Sequence, residues 1–296
     1  MAMGERREPE ARRAAWRKII AYCLLTPVLC LPGYYIGIHG HILPPRLASA
    51  VLMWGPASAA IIIRLVTEKS LVGIGFGPGR PVWLLIALLL PLAYALPPYL
   101  LAWGAGLGAF VPSRWPDVLP YGLHATGALS GLALILTAGF FDKISRALGE
   151  EIGWRGLLVP ELLKVTSFRT TALVSGIIWA LWHFPLIIFA DYKAAGTPVA
   201  FQLACFAAMV VGSSFLYAWL RMRSGSVWPA AVLHASHNLL VQSVLDQATV
   251  NKAGAFYLTT EFGAGIALCT ALVAWLILGK TPRSLFASKP EGLALG

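Results

Sequence analysis

Two neighbouring glutamates lead the run Glu150-Glu151-Ile152-Gly153-Trp154-Arg155-Gly156, in a chain that is apolar along most of its length. A charge at the centre of a membrane helix costs roughly 2.5 to 3.5 kcal/mol, so ionisable groups in such surroundings need a chemical reason. On a helix, Glu151 and Arg155 stand four apart and share a face, in the acid-before-base order that favours an ion pair. Glu150 is turned about 100° from Glu151 and cannot use Arg155 equally well. One carboxylate is then a clamp, and the other is left as a candidate general base. The plainer reading is a charged turn at a membrane edge, since Asp142, Lys143 and Arg146 come shortly before.

Two further pairs repeat the four-residue spacing. Trp179 and His183 place an indole where it can stack on the imidazole and fix its orientation. His234 and Asn238 present an imidazole and an amide together, two donors suited to an oxyanion in a low-dielectric site. His237 is turned to a neighbouring face and reads as a supporting partner or a packing residue. Each pair alone has a bland reading, such as a histidine satisfied within its own helix. Three pairs at one spacing, all in apolar surroundings, argue for one shared site.

The elements that must carry these residues are membrane helices. Hydrophobic residues make up 58% and charged residues 12% of the 296, and the mean hydropathy is +0.72. Eight apolar stretches approach the length needed to cross a bilayer: 19–38, 47–66, 82–103, 122–141, 171–190, 199–220, 227–245 and 262–279. They are continuous rather than alternating, which points to helices and not to a barrel. The expected fold is all-α, a polytopic membrane bundle of about eight transmembrane helices. One membrane domain, 19–279, would lie between a basic tail, 1–18, and a second tail, 280–296. Small residues at Gly122, Ala125, Gly127, Gly131 and Ala133 predict close packing of the fourth span. The proline-broken first three spans read as scaffold with almost no functional polar groups.

Alternating the connections puts all but Arg46, Arg114, Lys193 and Lys252 of the 23 Lys and Arg on one side. The positive-inside rule then makes both termini and the glutamate region cytoplasmic, with substrate reached from that side. The net charge of +10 is thereby topological, with membrane lipids as partners. Nucleic-acid binding is not expected, because no basic stripe is interleaved with aromatics. Cys23, Cys30, Cys205 and Cys269 fall inside the apolar stretches without paired spacing and read as buried small hydrophobes.

Glu150-Glu151-x-x-x-Arg155, aromatic-x-x-x-His183 and His234-x-x-x-Asn238, in that order, resemble the family of CAAX proteases and bacteriocin-processing enzymes, the CPBP or Abi family. The resemblance covers about residues 120 to 245, the expected catalytic core. Trp179 stands where that family often has Phe. The resemblance implies an intramembrane glutamic endopeptidase acting on a membrane-associated peptide or protein. The excess of Arg over Lys points to a GC-rich bacterium, and so to a bacterial plasma membrane. Glu150 with His183 would activate water, His234 and Asn238 would stabilise the oxyanion, and Glu151, Arg155 and Trp179 would support them. No cofactor is implied. The alternative chemistry is a zinc set of Glu150, His183 and His234, although no His-Glu-x-x-His is present. The alternative function is a non-proteolytic membrane immunity or scaffold protein that binds a peptide or partner. A transporter ranks third, since no inverted repeat or paired broken helices are visible.

Overall fold

The computed structural model of the protein describes residues 2–40 and 45–281; Arg283 and Lys289 of the expected C-terminal tail lie outside them. The fold is an all-α polytopic bundle. Six helices are long and apolar enough to cross a membrane. They are α1 (Ala2–His39), α2 (Pro45–Glu68), α3 (Pro81–Gly104), α4 (Ala128–Leu163), α5 (Phe168–Phe189) and α6 (Val199–Ser224). The stretches expected to cross at 227–245 and 262–279 form shorter elements. One is α7 (Trp228–Asn238), which runs on as a wider π turn over Leu239–Leu245. The other is α8 (Ala264–Gly279), whose 16 residues rise only about 24 Å against a hydrocarbon core of about 30 Å.

Local chemistry sets several of the boundaries. Pro81 opens α3, where a missing N–H costs nothing. Ser167 caps α5, its Oγ accepting from the Thr170 amide at 3.2 Å. Gly225 ends α6 at φ 69°, the left-handed conformation glycine adopts without penalty. Two short strands, β1 (Gly108–Phe110) and β2 (Thr249–Asn251), pair antiparallel at the end of the bundle reached by α3 and α7.

Three expectations change here. The basic segment 1–18 is helical from Ala2 and continuous with the first span, and Lys18 is buried. Lys18 bonds Glu161 at 2.9 Å and Glu68 at 2.5 Å, Arg64 bonds Glu68 at 3.0 Å, and Lys164 bonds Glu161 at 2.7 Å. The first two spans therefore carry charged groups that lock them to the end of α4. The fourth span starts at Ala128 and continues to Leu163, so Glu150 and Glu151 lie within a membrane helix and not on a turn at its edge. The small-residue face holds only in part. A Cβ at Gly131 would lie 2.9 Å from the Pro116 nitrogen, a close approach as expected, but one at Gly122 or Gly127 would meet nothing within 4 Å. Two further close approaches come later in the helix, where a Cβ at Gly149 would lie 2.7 Å from the Met53 carbonyl and one at Gly153 2.3 Å from the Tyr22 hydroxyl. Those two glycines, either side of the glutamates, let α4 press against α1 and α2.

Candidate active site

Glu150 and Glu151 are 1% and 0% exposed, on the turn of α4 just before a π stretch, Trp154–Leu158. Pro160 follows: lacking an N–H and crowding the carbonyl four residues back, it favours a widened turn at this point. A second π stretch begins directly after Asn238. Such widened turns recur at functional sites.

The two glutamates have separate partners, as their helical angle requires. Glu151 Oε1 accepts from Arg155 at 3.0 Å and from His234 Nδ1 at 3.0 Å. The Arg155 guanidinium sits between two rings, 4.4 Å from the Trp179 centroid and 4.2 Å from that of Tyr217. The expected clamp is present, and it also holds the imidazole of α7. Glu150 Oε2 accepts instead from two indoles, Trp154 at 3.2 Å and Trp179 at 2.6 Å. Hydrogen bonds of this kind to a carboxylate are stronger than neutral ones and fix where it points.

Trp179 does not stack on His183. Their rings meet edge to face at 6.0 Å, and the indole N–H is spent on Glu150. His183 is oriented instead by its Nδ1, 2.9 Å from the Trp179 carbonyl. A carbonyl only accepts, so Nδ1 carries a proton, and in the neutral ring Nε2 keeps its lone pair. Phe206 and Trp182 pack the ring at 5.0 and 4.7 Å.

Glu150, Trp179, His183, His234 and Asn238 line one cavity of about 710 Å³, within the range of small-ligand sites. Glu151 and Arg155 lie behind its wall. Among the described residues, no three His, Cys, Asp or Glu side chains converge as metal ligands.

Sequence reasoning missed several members. Trp154, on Glu150, stands at the same four-residue spacing that revealed Arg155. His237 is a bridge, with Nδ1 3.1 Å from the Tyr94 hydroxyl and Nε2 3.0 Å from Glu261 Oε1. Glu261 also accepts from Gln242 at 2.9 Å and from Tyr192, and it lines the same cavity. It lies just ahead of α8, where burial works to raise its carboxyl but these donors, His237 foremost, hold it down at about 2. Tyr94 comes from α3, so the third span is not mere scaffold.

A polytopic helical bundle with carboxylates, imidazoles and an amide gathered in one buried cavity is the class this geometry defines. Residues 124–240 match the family model described as type II CAAX prenyl endopeptidase Rce1-like. CAAX prenyl protease 2 of Methanococcus maripaludis is 47% identical to this chain over 38 residues, 13% of this chain and 14% of that protein's length. These two matches support the CPBP family for this chain, as its three motifs imply.

Proposed function

We propose that this protein is an intramembrane endopeptidase that hydrolyses a peptide bond of a membrane-associated peptide or protein. The observation that carries this reading is the shared cavity of Glu150, His183, His234 and Asn238. In the proposed reaction a water lies between the Glu150 carboxylate and the lone pair of His183 Nε2. It loses a proton to this pair as its oxygen attacks the scissile carbonyl carbon. The carbonyl oxygen becomes an oxyanion and receives hydrogen bonds from His234 Nε2–H and the Asn238 amide. For that work His234 carries both ring protons, a charge that Glu151 beside Nδ1 complements. Collapse of the tetrahedral intermediate breaks the C–N bond, and the held proton passes to the leaving amine. Arg155 fixes Glu151, and Trp154 and Trp179 hold Glu150 in place.

The first peptide to test is a prenylated CAAX peptide, the kind for which the relative is named. Purified protein in detergent or liposomes should cleave such a peptide, or a membrane-associated one without the prenyl group. Cleavage should be lost in Glu150→Gln with the fold intact. A peptide that binds the wild type and is never cleaved would instead favour the non-proteolytic immunity or scaffold reading.

A further inference from the structure

The cavity is lopsided along the bundle. The helix ends that line it all belong to one end: His39 and Gly40 close α1, Asp191 and Tyr192 follow α5, and Glu261 precedes α8. Among the described residues, none from the connections at the other end, 69–80, 164–167 and 225–227, lines it. Depth changes in the same sense. Of the lining residues, Tyr217 and His234 are those nearest the basic ends of α6 and α7, whereas Gly37 and Leu186 lie two or three residues from the opposite ends of α1 and α5.

The two ends differ sharply in charge. The end away from the cavity carries Arg12, Arg13, Arg17, Lys69, Arg80 and Arg223 among others. The cavity end has Arg46, Arg114, Lys193 and Lys252. Lys143 and Arg146, which the sequence assigns to the basic edge, lie instead on the cavity wall within α4. Removing them from the tally leaves its sign unchanged. Short basic connections stay in the cytoplasm. The basic end is then inside and the mouth outside.

We infer that the candidate site is reached from the extracytoplasmic side, and that its substrate is a peptide segment lying in or against the outer leaflet. The inference rests on the proposed hydrolysis for the word substrate, but the side of access stands on geometry and charge alone. It reverses the cytoplasmic approach expected from sequence, because the glutamates lie deep within α4 and open away from the basic end.

The test labels single added cysteines in intact cells with a membrane-impermeant maleimide, with the wild-type protein as blank. Asp191→Cys sits at the cavity mouth and Arg80→Cys at the opposite end; both native side chains are exposed. Asp191→Cys should reach in intact cells the labelling it shows after permeabilisation. Arg80→Cys should stay at the blank until the cells are opened. The opposite pattern overturns the inference whether or not any peptide is cleaved. In a second arm, a membrane-associated peptide is offered outside intact cells and, separately, outside inverted vesicles. Cleavage confined to intact cells is expected, and cleavage confined to inverted vesicles overturns the inference. With the labelling as expected, failure of cleavage on both sides sinks only the proposed hydrolysis.

Discussion

At the scale of single residues, the two glutamates do different work, and substitution should separate them. In Glu150→Gln the amide oxygen can still accept from Trp154 and Trp179, so shape and hydrogen bonding survive while the base is lost. Turnover should fall by about 10² to 10⁴, the usual contribution of a general base, with little change in melting temperature. Glu151→Gln strips the counter-charge from the wholly buried Arg155 and weakens the hold on His234. Breaking a buried pair costs roughly 3 to 5 kcal/mol, so this variant should melt earlier as well as react more slowly. Adding Arg155→Met should restore part of the stability and little of the activity. A fully active Glu150→Gln protein would remove the catalytic assignment. Strong chelators at neutral pH should leave turnover unchanged. A loss reversed by zinc alone would turn Glu150, His183 and His234 into ligands. The division between the glutamates is legible in sequence because it depends only on helical angle and a four-residue spacing. Glu261 on His237 is not, since 24 residues and a loop separate the partners.

At the scale of elements, the segment after α7 holds a half-buried acid, Asp246, with the Tyr99 hydroxyl of α3 donating to it. Burial pushes its carboxyl up to about 7, the negative Glu261 adds to the rise, and the Tyr99 bond and Lys143 offset part of it. The folded protein therefore keeps a proton that the unfolded chain releases near the ordinary value of 3.8. Stability from this group is complete below that value and is lost as pH rises through about 7. Glu261 has the opposite sign: its contribution is full above 4.5 and is lost only as pH falls toward about 2. Between pH 5 and 8 the melting temperature should thus decline, and Asp246→Asn should flatten that slope. An unaltered slope in the Asn variant would place the titration elsewhere. Helix identity and approximate bounds are legible in the apolar stretches. The run of α4 past Arg155 is not, because Asp142, Lys143 and Arg146 look like the end of a span until Asp142 is seen to be buried and the two basic residues half-buried on the cavity wall. Asp142 and Arg146 in fact pair with each other on the helix.

At the scale of the whole molecule, the open point is how the two short elements lie across the bilayer. Six helices have the length to cross, and α7 and α8 are shorter than the bilayer core. The β pairing nonetheless fixes where α7 must go. Ala109 opposes Val250, so the segment after α7 is tied to the segment after α3. The start of α7 is tied to the other end, where the Val227 amide bonds the Gly75 carbonyl at 2.9 Å and Arg221 bonds the Gly73 carbonyl at 3.0 Å. The chain thus traverses the bundle between Val227 and Leu245, with the widened turn over Leu239–Leu245 supplying the remaining length. A helix too short for the membrane is tolerable here because α3, α4 and α6 surround it with protein rather than lipid. Together with the charge asymmetry, this gives a topology that reporter fusions can read. Fusions after Gly196 and after Gly254 should report the extracytoplasmic side, and a fusion after Gly225 the cytoplasmic side. A cytoplasmic signal at Gly254 alone would mean that α7 does not cross, and would undo the strand pairing. Inversion at all three positions would turn the cavity mouth to the cytoplasm, leave the arrangement around Glu150 unchanged, and make the basic end the outer one.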